Sequence, residues 1–296
     1  MMRFRIAALL LSMVAVALPS ATALTISGFT SGANDRFTND DAFILDGFDL
    51  SGVGRSSDGR WGTLISDNVF LSANHLHPAI NSTLTFYATN DSGGASTSHT
   101  VTSGYQVTGT DLWVGTLGTS VSSSYVSYSF ATTPIADSTD FNAWTYRNAV
   151  GAVFGRPSEG TPTLIDMVVG YNVVDAWVED VELTGVTNDA LLSLEGNAND
   201  IIYESLLQGG DSGAPLFVNN NGSLLLVGIN WFVGDVTADA ITYDTNGYTY
   251  VGNYTSALNA TISASAVPEP SSFAGALGLS AMLFAASRRR RRGVNQ

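Results

Sequence analysis

From Trp61 onward the chain alternates apolar and polar positions in short runs, each broken by turn residues. Trp61-Gly62-Thr63-Leu64-Ile65 and Val69-Phe70-Leu71-Ser72-Ala73 read as two strands around the turn Ser66-Asp67-Asn68. Leu84 to Tyr87, Thr100 to Val107, Leu112 to Leu117 and Tyr125 to Phe130 continue the pattern, with a Gly/Ser-rich loop over Asn90 to Ser98. A repeat of two predicts half-buried strands. The alternation stops in a polar connector, Thr132 to Asp140, and resumes over Asn142 to Tyr146, Ala149 to Phe154, Thr163 to Tyr171 and Val173 to Leu183. It returns at Leu216-Phe217-Val218, Leu224 to Trp231 and Tyr248 to Val251. One short helix is predicted, about Tyr254 to Ile262. Many short strands and almost no helical periodicity predict an all-β protein built as barrels or a sandwich.

The two ends follow other patterns. Arg3 and Arg5 precede the apolar run Ile6 to Leu18, which closes in Pro19-Ser20-Ala21-Thr22-Ala23. A charged start, a short apolar centre and a small-residue end describe a secretory signal peptide over residues 1–23. At the other end, Val267-Pro268-Glu269-Pro270 leads into a small, apolar stretch, Phe273 to Ser287, and then Arg288 to Arg292. A spanning helix needs about 20 apolar residues, so this is a short span, and the arginines would hold its end in the cytoplasm. The order Pro-Glu-Pro, apolar segment, basic cluster resembles the PEP-CTERM sorting signal of exported Gram-negative bacterial proteins. That resemblance implies transient membrane anchoring and cutting by an exosortase-type sorting enzyme; an ordinary C-terminal anchor is the alternative. Both predict an exported middle, at the cell envelope or secreted.

Charge and cysteine content narrow the chemistry. The chain has 296 residues, 12 basic and 26 acidic, with no lysine and no cysteine. Outside the two terminal signals five arginines face 25 carboxylates, a net charge near −20. Such a surface repels nucleic acid and anionic lipid. Without cysteine an exported protein has no disulfides to hold it and no thiol nucleophile. Asp235, Asp239 and Asp244 lie in a stretch read as a solvated acidic loop, and their spacing fits no EF-hand.

The candidate chemistry lies in three places. Gln208-Gly209-Gly210-Asp211-Ser212-Gly213-Ala214-Pro215 puts a serine among glycines, where the backbone can present a hydroxyl and aim N–H groups at one point. Alone it reads equally as a polar turn before a strand. His75 ends the apolar block Leu71-Ser72-Ala73-Asn74-His75; His77 is its rival, and His99 sits in a Ser/Thr-rich stretch read as solvated. Asp111 opens the strand Leu112-Trp113-Val114, where a buried carboxylate would need a partner such as an imidazole N–H.

The order His75, Asp111, Ser212 resembles that of the chymotrypsin-like (trypsin fold) serine peptidases. Leu71 to His75, Asp111 to Val114 and Gly210 to Pro215 each resemble a sequence block of that family, and Leu226 to Trp231 is similar to its following strand. The resemblance implies two antiparallel β-barrels packed around a cleft, over 24–131 and 141–266, joined by the connector 132–140 and followed by the sorting segment 267–296. It implies a serine endopeptidase acting on protein or peptide substrates, with Ser212 as nucleophile, His75 as base and Asp111 orienting it. The N–H groups of Gly210 and Ser212 would form the oxyanion hole, and Leu206, Asn230 and Trp231 would line the substrate site. No metal and no cofactor takes part. An Ile-Val-Gly-Gly start is lacking, so Arg156 or Arg147 is expected to pair with Asp211. The alternative reading is a catalytically inactive trypsin-fold or other β-rich surface or matrix binding protein.

Overall fold

Side chains on successive strand positions point to opposite faces, and in the first half of the chain both faces find an apolar core. The computed structural model describes residues 24–157, 165–183, 185–196, 201–238 and 241–265. After a short strand β1 (Thr25–Ile26) and a helical turn α1 (Ser31–Asn34) come β2 (Val53–Ser56), β3 (Trp61–Leu64), β4 (Val69–Ala73), β5 (Thr83–Tyr87), β6 (Ser96–Gln106) and β7 (Leu112–Leu117). β2 to β7 close into an antiparallel barrel in the order β2-β3-β4-β7-β6-β5. Leu64, Phe70, Leu84, Phe86 and Trp113 form one core. Their neighbours Trp61, Val69, Leu71, Ala73, Leu112 and Val114 belong to a second, larger core shared with the rest of the chain. That division explains why β3 and β4 are buried at every position.

The second half holds α2 (Ser138–Ala143), β8 (Val150–Gly155), β9 (Val168–Val173), β10 (Ala176–Leu183), β11 (Val186–Leu194), β12 (Ser205–Leu206), β13 (Pro215–Asn220), β14 (Ser223–Ala238), β15 (Ile241–Tyr250) and α3 (Thr255–Ser265). Seven of these strands form an antiparallel sheet, β10-β11-β15-β14-β13-β8-β9, curled into a half-barrel. The all-β class expected from the strand pattern and the pair of barrels implied by the resemblance are therefore present, with the first barrel closed and the second open, and with the short terminal helix in place. β1 pairs with β12, placing Thr25 opposite Leu206. No helix among the described residues is long and apolar enough to cross a membrane. Residues 1–23 and 267–296, where the terminal signals were read, lie outside the described residues.

Several local expectations fail for identifiable reasons. Tyr125 to Phe130 is no strand: only Phe130 forms a bridge, to Leu226. Its backbone is satisfied elsewhere, Val126 N–H by Ser51 Oγ and Tyr128 N–H by Leu64 O. Asn142 to Tyr146 is not a strand either, because Asp137 accepts from the Thr139 and Asp140 N–H groups and starts α2. The acidic stretch is a hairpin rather than a loop, with Asp235 facing Asp244 across β14 and β15; Asp239 lies outside the described residues. His99 is not solvated: it is buried between Thr97 Oγ1 (2.9 Å) and Thr119 Oγ1 (2.7 Å), and burial holds its pKa below the usual imidazole value.

Arg36 ties the pieces together. It is 1 % exposed and donates to Val53 O (3.1 Å), Tyr87 O (3.1 Å) and Asn90 Oδ1 (3.1 Å), with Met167 Sδ 3.2 Å away. Burial pushes its pKa down to about 10, so it remains a cation at neutral pH. Val53 and Tyr87 belong to the closed barrel, and Met167 immediately precedes β9 of the open sheet. Replacing Arg36 by Met deprives two buried carbonyls of a charged donor, and such loss costs about 3 kcal/mol. Urea unfolding of Arg36→Met is expected to show a loss of that size with an unchanged slope.

Candidate active site

The end of β4 and the start of β7 lie side by side, because Ala73 is paired with Leu112 in their antiparallel ladder. His75 follows β4 in a short 3-10 turn, Asn74–Leu76. Asp111 precedes β7, behind a tight turn in which Thr110 N–H donates to Val107 O (3.0 Å) and Gly109 takes φ +78°. Strand register alone therefore brings the two together. Asn74 N–H donates to Asp111 O (2.6 Å) and His75 N–H to Asp111 Oδ1 (3.1 Å). The His75 ring then meets the other carboxylate oxygen, Nδ1 to Oδ2, at 2.7 Å. Asp111 is 1 % exposed while the His75 side chain is 28 % exposed. A buried carboxylate selects the tautomer with the proton on Nδ1 and leaves the Nε2 lone pair at the exposed edge of the ring.

The rival His77 is occupied differently. Its ring stacks on Trp113 with centroids 4.3 Å apart and planes 2° from parallel, and its Nδ1 bonds the Pro78 carbonyl at 2.8 Å.

Ser212 stands in the turn between β12 and β13. Gly213, next to it, has φ +89°, and a Cβ there would lie 2.6 Å from Ser72 Oγ and 3.2 Å from Ala73 N. The serine turn is thus seated against the residues that lead into His75. Gly213 N–H donates to Asn230 O and Asn230 N–H to Ala214 O, both at 2.9 Å, which fastens the turn to β14. The Ser212 hydroxyl is half-buried and makes no hydrogen bond to any described residue. The N–H groups of Gly210 and Ser212 are likewise without partners among the described residues. In unliganded sites the nucleophile–base bond is commonly long and closes with substrate.

Asp211 is fully buried. It accepts from Arg156 N–H on Oδ1 (2.9 Å) and from Gln208 N–H on Oδ2 (2.9 Å). Burial raises its pKa to about 7 despite those two bonds and the attraction of Arg156 and Arg55. The expected ion pair with an arginine is not formed. Arg147 lies 6.0 Å over the Phe141 ring, and the Arg156 guanidinium donates to Gly209 O (2.6 Å) instead of to the carboxylate. Leu24 borders the same pocket: a Cβ on Gly155 would lie 2.6 Å from Leu24 Cβ and 2.8 Å from Asp211 Oδ1. Leu24 N–H donates to Arg156 O (3.0 Å).

The residues expected to line the substrate site are placed less openly. Leu206 is half-buried, Asn230 fully buried and Trp231 3 % exposed. The Asn230 Nδ2 group donates to Phe154 O (2.9 Å) and Asp211 O (3.1 Å), which makes it a brace for the serine turn. Trp231 sits at a bulge in the β14–β15 ladder and packs with Val181, Leu183, Ala190 and Leu192. One contributor escaped the sequence reading: Trp61, on the other barrel, donates from Nε1 to Gly210 O (3.2 Å). A lone tryptophan in an apolar strand gives no sign of such a role.

A side chain at position 213 would meet both a left-handed backbone, costing roughly 1–2 kcal/mol, and the Ser72 hydroxyl. Gly213→Ala is expected to lose about 2 kcal/mol or more in chemical unfolding and to abolish any reactivity of Ser212.

No protein-family model and no curated protein matches this chain, so the case for its chemistry rests on the arrangement of these residues.

Proposed function

We propose that the chain is an exported serine endopeptidase, hydrolysing peptide bonds through Ser212, His75 and Asp111. One observation carries the reading. A buried carboxylate bonds Nδ1 of a half-exposed histidine, and a glycine-flanked serine is seated against the same segment. Asp111 fixes the ring so that Nε2 can take the Ser212 proton as Oγ attacks the scissile carbonyl. The negative charge then growing on the carbonyl oxygen meets the open N–H groups of Gly210 and Ser212, which a water-excluded site makes strong. His75 passes the proton to the leaving amine, and a water activated by the same imidazole releases the acyl group from Ser212. No metal or cofactor is called on in this sequence of steps.

Export also bears on Asp211. Removal of residues 1–23 would leave Leu24 first, its nitrogen on the carbonyl of Arg156, the residue whose N–H binds Asp211, a buried carboxylate with no ion-pair partner among the described residues. Residues 267–296 would then serve as a transient membrane anchor recognised by an exosortase-type enzyme, and the partners of the released part are protein or peptide substrates. The unbonded Ser212 hydroxyl favours a second reading, an inactive β-rich surface or matrix binding protein.

A fluorophosphonate probe separates the two. Labelling of wild type that is lost in Ser212→Ala supports the peptidase, with peptide hydrolysis falling by about four orders of magnitude in Asp111→Asn, the scale of loss known for a triad aspartate. A folded wild type that takes no label sinks it.

The pocket around Leu24 gives a separate test. A buried acid whose folded pKa is raised stabilises the fold below its unfolded value and loses that contribution as pH rises through about 7. Protein starting at Leu24 supplies an ammonium that favours the ionised form up to about pH 8. Melting temperatures between pH 4 and 7.5 are therefore expected to fall more steeply with pH in a form extended before Leu24 than in one starting there. Equal slopes would remove Leu24 from the pocket.

A further inference from the structure

We infer that Arg156 is a positioning residue for the oxyanion hole: it sets the direction of the Gly210 N–H by holding the carbonyl at the other end of the same peptide bond. The inference rests on the peptidase reading above. In a trans peptide the C=O and N–H point to opposite sides, so whatever fixes one fixes the other. The peptide between Gly209 and Gly210 has no Cβ on either flank, and Gly210 takes φ +100°, a conformation open to glycine alone. Rotation of that peptide meets little intrinsic resistance, and a rotated peptide would present a carbonyl where the substrate oxygen needs a donor.

Arg156 supplies the resistance. Its Nη2 donates to Gly209 O at 2.6 Å, which sends the Gly210 N–H the opposite way. The guanidinium occupies the place where a Gly210 Cβ would stand, so the turn and the arginine are in direct contact. Arg156 forms no ion pair with any described residue; the Asp211 carboxylate attracts it, but the hydrogen bond its guanidinium makes is to the Gly209 carbonyl. The same residue grips the turn a second time through its main chain, from its N–H to Asp211 Oδ1.

The neighbouring peptides follow the same rule. Gly210 O accepts from Trp61 Nε1, and the Asp211 N–H of that peptide donates to Gln208 O (3.1 Å). Asp211 O accepts from Asn230 Nδ2 (3.1 Å) and Ala214 N–H (3.1 Å), which turns the Ser212 N–H away from both. All three carbonyls are thus tied down, and of the three N–H groups those of Gly210 and Ser212 are left without partners among the described residues. Asn230 and Trp61 are fully buried and contribute to folding as well. Arg156 is half-exposed, so it can be changed with least effect on the core.

The test measures peptide hydrolysis and inhibition by a peptide aldehyde, which adds to Ser212 and places an oxyanion in the hole, for wild type, Arg156→Met, Arg156→Gln and Arg156→Lys. Expected for Arg156→Met is a fall in kcat of about 10- to 100-fold with KM within twofold, part of the factor measured when an oxyanion donor is removed outright. Aldehyde affinity should fall by the same factor, and Arg156→Lys, which keeps a cationic donor, should recover part of both. Arg156→Gln gives the same reading should the Met variant fail to fold. Wild-type kcat in the Met or Gln variant, or a loss confined to KM, overturns the positioning role while leaving the peptidase standing. A wild type that neither hydrolyses peptides nor takes a fluorophosphonate overturns the peptidase reading itself and this role with it.

Discussion

A carboxylate taken fully out of water costs several kcal/mol unless N–H groups or cations are turned toward it, and Asp211 meets that demand with peptide groups. Its oxygens take the N–H groups of Arg156 and Gln208, one from the end of β8 and one from the entrance of the serine turn. Those two bonds fix where the turn begins and how it lies against the open sheet. That attachment places the turn, and the bonds to the Gly209 and Asp211 carbonyls then orient the N–H groups it presents. The residual burial cost appears as a pKa raised to about 7. The site is thus built around a charge that the fold only partly compensates.

A protein without cysteine must join its halves by other means. Here the joints are arginines and one indole. Arg36 reaches carbonyls of β2 and β5 from the N-terminal segment. Arg55, fully buried, donates to Asp166 O (3.0 Å) ahead of β9 and lies 4.8 Å over the Trp61 ring. Trp61 in turn holds Gly210 O. Each is a donor set against main-chain carbonyls, so the link depends on backbone position and little on the identity of the side chains around it. The shared apolar core supplies the bulk of the attraction between the halves, and these bonds set the register.

Legibility in the sequence tracked how local the determining forces were. β3, β4, β5 and β7 were readable as short, largely apolar runs bounded by turn residues, the pattern of strands with one face filling a barrel and the other meeting a second core. The meeting of His75 with Asp111 was anticipated from two blocks at strand ends, and register delivers it. The failures have longer-range causes. Tyr125 to Phe130 has the composition of a strand, yet its N–H groups are taken by Ser51 and Leu64, far away in the chain. Polar residues from Asp235 to Asp244 gave no alternation because that part of the β14–β15 hairpin has little core to face. The side chains of Asn230 and Trp231 take structural places that no short motif reveals: Asn230 braces two carbonyls and Trp231 is covered by β10 and β11. Arg156 was singled out for its charge, whereas the bond it makes is to a neutral carbonyl.

The long hairpin has a consequence for how stability is distributed. Among the described residues β11 pairs with β15 from Thr245 to Thr249, and Glu195 N–H adds one bond to Asp244 O. Beyond that point no other described strand pairs with β14 and β15, and a two-stranded ribbon is marginal in water. Asp235 and Asp244 face one another across it, a like-charge pair that opposes the pairing. Ile241 is exposed on it and adds little burial. The same two strands are buried over Leu224 to Trp231 and Thr245 to Tyr250, where β14 braces the serine turn, and have little to keep them closed toward Ala238 and Ile241. Opening of the outer ribbon therefore costs a small fraction of global unfolding and leaves the braced end untouched, so one pair of strands spans nearly the whole range of local stability in the molecule.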